Sequence, residues 1–166
     1  MFVGRSRELA LLEAAAAAAR RGQPQVVSIE GEAGIGKSSL LERFAPELES
    51  AGILRASGDE AESLLPYGVI SQLVASAQET EDGPPGLLTS DLSDDVDPLA
   101  VGAELVTWLG QVHRGQQMTL ALIDDLQWAD GPSARALLFA VRRLQADPVL
   151  VVVTARPGEL SRGGEG

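Results

Sequence analysis

Residues 31–38 read Gly31-Glu32-Ala33-Gly34-Ile35-Gly36-Lys37-Ser38. This run matches Gly-x-x-x-x-Gly-Lys-Ser/Thr, in which the glycines let the backbone turn so that successive N–H groups point at phosphate oxygens. Lys37 is the only lysine of the chain. A chance match in a sequence of this composition has a probability of about one in a thousand, so a glycine-rich turn with a solvated lysine is a poor explanation.

The residues on either side of this loop supply the context that phosphate binding needs. Gln25 to Glu30 is a short β-branched run before Gly31 and predicts a buried strand. A helix is predicted from Lys37 and should kink or end at Pro46. In this order of strand, loop and helix, Lys37 would bridge the β- and γ-phosphates and the Ser38 hydroxyl would bind Mg²⁺.

A second apolar run, from Met118 to Asp124, ends in two adjacent acids, Asp124 and Asp125. The carboxyl ends of parallel strands form the ligand crevice of open α/β sheets. We predict that Asp124 holds Mg²⁺ and that Asp125 orients or deprotonates an attacking water. Without the upstream glycine loop, two solvated acids in a turn would be the preferred interpretation.

Two polar residues end a third apolar run, from Val149 to Ala155. Thr154 and Arg156 follow Asp124 at the distance of one helical crossover, so both are expected at the same crevice. Thr154 would bind the attacking water, and Arg156 would sense the γ-phosphate and stabilise transition-state charge. The alternative is a strand-terminal threonine beside a surface arginine.

The rest of the chain alternates further strand and helix patterns, which predicts a three-layer α/β/α fold with a mainly parallel sheet. Ser6 is a candidate cap for a helix ending at Gly22, and Glu79 to Pro98 is predicted to be an exposed, mobile, acidic loop. The other predicted elements are a strand at Ile53 to Ala56 and helices at Tyr67 to Ala77, Leu99 to Val112 and Ser133 to Gln145.

Composition limits the partners of the chain. Its 166 residues predict one soluble domain, and the net charge of −11 repels nucleic acid and anionic membranes. The absence of cysteine excludes disulfides and thiol ligands, and every apolar run falls short of the roughly 18 residues of a membrane span. We therefore expect a cytoplasmic protein that makes no direct contact with nucleic acid or membrane.

Four stretches together resemble the AAA-related STAND ATPases, and most closely the ATPase domain of large LuxR-type transcriptional regulators. The resemblance covers nearly the whole chain and implies a P-loop NTPase (ASCE/AAA-like) core that uses ATP or ADP, with Mg²⁺, as a switch. The stretches are Phe2-Val3-Gly4-Arg5 with Glu8-Leu9, the glycine loop, Leu122-Ile123-Asp124-Asp125-Leu126-Gln127-Trp128-Ala129-Asp130, and Val153-Thr154-Ala155-Arg156-Pro157.

The resemblance implies a role for each matching residue. Lys37 and Ser38 correspond to Walker A, Asp124 and Asp125 to Walker B, and Thr154 with Arg156 to the sensor element. Ser38 and Asp124 would be the metal ligands, and the catalytic residues would be Lys37, Asp125, Thr154 and Arg156. The nucleotide-binding residues would be Val3, Gly4 and Arg5 near the base, together with Gly31, Glu32, Ala33, Gly34, Ile35, Gly36, Lys37, Ser38 and Ser39.

Relatives of this kind continue with parts that the sequence does not contain: a fifth strand beside the first, a helical lid, repeats and a DNA-binding region. We therefore expect a core truncated after its fourth strand, in the order first, fourth, third and second, with an unpaired outer edge that favours self-association. The expected regions are 1–24 (N-terminal element and helix), 25–78 (Walker A half), 79–98 (acidic loop), 99–157 (Walker B and sensor half) and 158–166 (tail).

Two other functions stay open at this point. One is a metabolic P-loop kinase, although a kinase needs a basic lid that the lysine-free remainder does not offer. The other is a truncated, non-catalytic scaffold. Trp128 and Asp130 are candidates for holding the Walker B loop in place, with plain packing of the tryptophan as the alternative.

Overall fold

The computed structural model describes residues 5–48, 51–77, 83–113 and 116–162. The strands are β1 (Gln25–Glu30), β2 (Ala51–Ser57), β3 (Met118–Asp124) and β4 (Val149–Ala155). The helices are α1 (Ser6–Arg20), α2 (Lys37–Phe44), α3 (Gly68–Ser76), α4 (Gly86–Thr89), α5 (Pro98–Val112), α6 (Gly131–Val141) and α7 (Glu159–Arg162). Short 3-10 turns lie at Ala45–Glu47, Glu60–Glu62 and Leu126–Trp128.

The four strands form one parallel sheet in the order β1-β4-β3-β2. This confirms the predicted parallel α/β fold and the strand order that the resemblance implied. β3 and β4 are buried along almost their whole length because they have a neighbour on each side and helices on both faces. β1 differs from the prediction of a buried strand, since it alternates half-buried and exposed residues and leaves Val26 51% exposed.

Two hydrophobic cores lie on opposite faces of the sheet. One core packs α3, α5 and α6 against side chains that include Leu54, Ile123 and Val151. The other packs α1 and α2 against the alternate residues of the strands, among them Leu122 and Val152. The period of two along a strand sends neighbouring side chains to opposite faces, so each central strand contributes to both cores.

The ends of α1 follow local backbone chemistry. The predicted cap, Ser6, is instead the first helical residue, and Arg5 precedes it without a side-chain capping bond. At the other end Gly22 adopts φ +78°, and the N–H groups of Gly22 and Gln23 donate to the carbonyls of Ala19 and Ala18. This is the left-handed glycine termination that the sequence predicted.

α6 starts two residues earlier and ends four residues earlier than the predicted Ser133 to Gln145. Asp130 caps it by accepting a hydrogen bond from the N–H of Ser133, which moves the start to Gly131. The chain leaves the helix after Val141 through a turn, and Ala146 has a positive φ of 51°. Helical spacing of apolar residues alone did not locate either end.

The stretch predicted as an exposed loop contains folded structure in its described part. α4 forms one turn there, Leu88 is 4% exposed, and the N–H of Leu87 donates to Glu104 at 3.0 Å. Residues 79–82 of that prediction lie outside the described residues. The predicted tail likewise begins with the short helix α7. In the described ranges, the helices are too short or too polar to cross a bilayer.

Candidate functional site

Three loops meet at the carboxyl edge of the sheet, after β1, β3 and β4. The hydrogen bonds between β1 and β4 continue into the loops, because the N–H of Gly31 donates to the carbonyl of Ala155 at 3.1 Å. Together the loops enclose a cavity of about 320 Å³. Its lining comes from the glycine loop and from the segments that follow β3 and β4: Ala33, Gly34, Gly36, Lys37, Ser38, Ser39, Asp125, Trp128 and Arg156.

The glycine loop is shaped by backbone conformations that only glycine adopts easily. Gly34 has φ +79° and Gly36 has φ +91°, both in the left-handed region. At Gly31 an added Cβ would lie 2.8 Å from Cγ2 of Ile35, so the loop also closes tightly on itself. α2 begins directly behind Gly36, which directs the first N–H groups of that helix toward the cavity.

Lys37 folds back over this loop. Its ammonium group donates to the carbonyls of Gly31 and Glu32, at 2.9 Å for the latter, and the side chain is 7% exposed. Arg5 contacts the same loop from outside, since its guanidinium donates to the carbonyl of Ile35. The loop therefore holds a buried positive charge at the cavity wall, where phosphate oxygens could replace carbonyls as partners.

Asp124 lies at the centre of the polar network. The Ser38 hydroxyl donates to one of its carboxylate oxygens and the Thr154 hydroxyl donates to the other. A hydroxyl and a carboxylate in contact are the hard oxygen donors that Mg²⁺ prefers, so Ser38 and Asp124 fit a magnesium site. When bound, the ion would neutralise charge on the phosphate oxygens.

Asp125 has an unusual backbone for its position. Its φ of 51° and ψ of 49° are left-handed, and its N–H donates to Thr154 Oγ1 at 2.9 Å and to Asp124 Oδ1 at 3.2 Å. These bonds offset the strain and turn the two adjacent carboxylates in different directions. Asp124 therefore contacts Ser38 while Asp125 lines the cavity.

The two sensor candidates have different surroundings. Thr154 is fully buried, and its hydroxyl donates to the Asp124 carboxylate and accepts from the backbone N–H of Asp125. Its contact with an attacking water stays a prediction. Arg156 is exposed and lines the cavity, with its guanidinium carbon 5.5 Å from the centre of the Trp128 ring. The structure thus places Thr154 behind the acid pair and Arg156 at the mouth.

A comparison with protein families matches the AAA ATPase domain family over residues 1–152. The chain belongs to the AAA ATPase domain family. Membership implies a nucleotide-binding ATPase domain, which agrees with a glycine loop and Asp125 lining one cavity. A comparison with curated proteins gives no significant match.

Most of the predicted site residues of this AAA ATPase domain meet around that cavity. Lys37, Ser38, Ser39, Asp125 and Arg156 line it together with three loop residues. Asp124 and Thr154 stand behind them and bond to lining residues. Val3 and Gly4, predicted to lie near the base, fall outside the described residues.

Asp130 anchors the domain's acidic segment, the chain from Asp124 to Asp130. It is 2% exposed, and it accepts hydrogen bonds from the N–H groups of Tyr67, Val69 and Ser133. It therefore joins the start of α3 to the start of α6. These contacts agree with the predicted role of Asp130 in holding the Walker B loop in place. Tyr67 takes φ +60° there, and burial raises the pKa of its phenol.

Sequence reasoning missed two residues of the acidic segment's surroundings. The N–H of Gly58, just after β2, donates to the carbonyl of Asp124 at 2.9 Å, and an added Cβ would lie 2.3 Å from the carbonyl oxygen of Asp125. Gln127 hydrogen-bonds Asp125 and the N–H of Arg156. A glycine that ends a strand is a weak signal, and the sequence holds no signal for the partners of Gln127.

Proposed function

We propose that this AAA ATPase domain is an ATP- and ADP-binding regulatory module that acts as a signal-transduction switch and hydrolyses ATP slowly with Mg²⁺. Its setting would be a LuxR-type transcriptional regulator whose lid, repeats and DNA-binding region are the domain's partners. The observation that carries the proposal is that Lys37, Arg156 and Asp125 line one cavity. Cations and a carboxylate around one polar cavity suit a triphosphate and an attacking water.

The assignment of roles follows the contacts. Lys37 would exchange carbonyl partners for phosphate oxygens, and Ser38 with Asp124 would hold Mg²⁺. Asp125 would orient the attacking water, and Arg156 would meet the γ-phosphate at the cavity mouth. Thr154 would keep the two acids apart through its hydroxyl.

Three observations support a switch in preference to a metabolic kinase. Asp130 connects the acidic segment to the starts of α3 and α6, so a shift of that segment moves two helices. Lys37 and Arg156 are the cations that line the cavity in the described part of the chain, fewer than a kinase lid supplies. The net charge of −11 favours an indirect role in DNA regulation over contact by this domain.

Nucleotide binding is tested by Lys37→Ala. Loss of a charge-assisted contact worth roughly 1.5 to 3 kcal/mol should lower ATP and ADP affinity by about tenfold or more. Calorimetry with Mg²⁺ on the full chain measures this, with Arg20→Ala, an exposed residue at the end of α1, as the control. Equal affinity of Lys37→Ala and the parent would rule out the phosphate role of the glycine loop.

Hydrolysis is tested by Asp125→Asn, which should bind nucleotide but lose about 10²- to 10⁴-fold in single-turnover rate. Asp94→Asn, an exposed acid remote in sequence from the acidic segment, is the matched control. An unchanged rate in Asp125→Asn would show that another group activates the water.

The regulatory part predicts a difference between nucleotide states. Amide hydrogen exchange in α3 and α6 should differ between the chain bound to ADP and the chain bound to a slowly hydrolysed ATP analogue. Exchange in α1, on the opposite face of the sheet, serves as the internal control. Identical exchange in α3 and α6 in the two states would contradict a switch transmitted through Asp130.

A further inference from the structure

Gln127 joins the two loops that flank the cavity. Its side-chain NH₂ donates to Oδ1 of Asp125 at 3.1 Å, and its side-chain carbonyl accepts from the N–H of Arg156 at 3.3 Å. The partners set the orientation of the amide, because a carboxylate needs a donor and a backbone N–H needs an acceptor. One side chain thus uses both ends of its amide to connect the segment after β3 to the segment after β4.

The two residues that Gln127 connects, through the Asp125 carboxylate and the Arg156 backbone N–H, both line the cavity. Asp125 and Arg156 are the acid and the cation that the segments after β3 and β4 contribute to the lining. Gln127 itself is half-buried in the Leu126–Trp128 turn and is not among the residues that line the cavity. It therefore acts on the cavity through its neighbours.

We propose that Gln127 is a positioning residue that couples Asp125 to Arg156, so that this amide bridge sets the two groups together for a γ-phosphate. The inference rests on the proposed function and extends it. In this inference the amide bridge of Gln127 is what lets the site distinguish a triphosphate from a diphosphate. The glycine loop and Lys37 hold their own contacts, which do not pass through Gln127. Loss of the bridge should therefore weaken triphosphate binding and leave diphosphate binding intact.

Gln127→Leu tests this because it removes both hydrogen bonds at similar volume. One charge-assisted and one neutral hydrogen bond predict a loss of about tenfold or more in affinity for a slowly hydrolysed ATP analogue. Affinity for ADP should stay within about twofold of the parent. Gln145→Leu, at an exposed glutamine after α6, is the matched control and should change neither affinity.

Gln127→Glu separates the two halves of the bridge. Its carboxylate can still accept from the Arg156 N–H, but it faces Asp125 with a like charge instead of a donor. We expect it to lower affinity for the ATP analogue at least as much as Gln127→Leu does. If Gln127→Glu binds the analogue as the parent does, the contact with Asp125 has no positioning role.

A measurement without nucleotide examines the bridge itself. In a ¹⁵N spectrum of the full chain, the side-chain NH₂ resonance of Gln127 should shift in Asp125→Ala, and the backbone amide of Arg156 should shift in Gln127→Leu. If neither resonance shifts, Gln127 does not bridge Asp125 and Arg156.

The outcomes separate the inference from the proposed function. If the parent binds both nucleotides through Lys37 but Gln127→Leu weakens ADP and the ATP analogue equally, Gln127 only supports the fold and the inference fails alone. The same holds if Gln127→Leu weakens neither. If the parent binds nucleotide no better than Lys37→Ala, the proposed function fails and the inference falls with it.

Discussion

The glycine loop and the acidic segment face each other across one cavity, yet they are built in different ways. The loop from Gly31 to Gly36 takes its shape from glycine backbones, and its main side-chain support is Lys37, its own neighbour in sequence. The acidic segment takes its shape from side chains and backbone of other elements, among them Gly58, Tyr67 and Thr154. The loop wall is shaped mostly by its own residues, with Arg5 and Ala155 as distant contacts, whereas the acidic wall is assembled from several elements.

We expect this difference to separate effects on nucleotide binding from effects on the stability of the domain. Changes in the loop should act mainly on phosphate affinity, because few other elements depend on its shape. Changes in the acidic segment should act on the whole domain, because Asp130 joins it to α3 and α6. On the proposed function, the segment that carries the two acids is therefore also placed to pass its state to α3 and α6.

Asp130→Ala should have the largest effect on stability. It leaves the N–H groups of Tyr67, Val69 and Ser133 without their acceptor in a buried place, which costs at least about 3 kcal/mol. Chemical denaturation measures the loss. Asp97→Ala removes an exposed helix cap that accepts one bond, and should cost about 1 kcal/mol. Similar losses in the two variants would show that Asp130 is an ordinary helix cap and does not hold the acidic segment in place.

Gly58→Ala should cause the second largest loss of stability. Its Cβ would meet the carbonyl oxygen of Asp125 at 2.3 Å and the backbone of Trp128 at 2.9 Å, and neither can rotate away. Overpacking of this kind costs about 1 to 3 kcal/mol and should also displace Asp125, which lowers the hydrolysis rate. Gly86→Ala, where no atom lies within 4 Å of the added Cβ, should leave both unchanged. A Gly58→Ala protein with parental stability and rate would break the assembled-wall interpretation.

Gly34→Ala should cost less, because its φ of +79° is strained for alanine but the added Cβ has open space. The expected loss in unfolding free energy is about 1 to 2 kcal/mol. Gly34→Asn should lose less than the alanine variant, since asparagine tolerates the left-handed region better. If the two variants lose equally, the cost does not come from backbone conformation.

Tyr67→Phe should have the smallest effect, about 1 kcal/mol, through loss of the hydroxyl bond to the carbonyl of Val96. Burial raises the pKa of Tyr67 above its ordinary value of 10.0, against a lowering influence from Arg135. Burial of the neutral Tyr67 phenol therefore contributes its full amount to the free energy of unfolding below about pH 10. This contribution is lost as pH rises through the folded pKa.

Tyr67 is the only tyrosine, so phenolate absorbance reports on it alone. The titration of the folded chain should lie above that of the chain in denaturant, and Tyr67→Phe should reduce the loss of stability at alkaline pH. Coincident titrations in the folded and unfolded chains would contradict the burial argument.

Several elements could be predicted because their signals are local. The bounds of β3 and β4 match the two apolar runs residue for residue, and Pro46 ends α2 as its missing N–H requires. Gly22 terminates α1 through its positive φ. The errors arose where a contact distant in sequence decided the outcome, as when Glu104 bonds Leu87 within the stretch predicted as a loop.

The amino-acid sequence by itself determined the glycine loop, the acid pair and their places after strands, because backbone freedom, strand periodicity and charge are properties of neighbouring residues. Tertiary structure alone decided that Thr154 bonds the Asp124 carboxylate and the Asp125 backbone, that Gly58 must lack a side chain, and that Gln127 joins Asp125 to Arg156. These contacts exist only after four strands align in one sheet. The hydrogen-bond partners come from chain segments that no local pattern brings together.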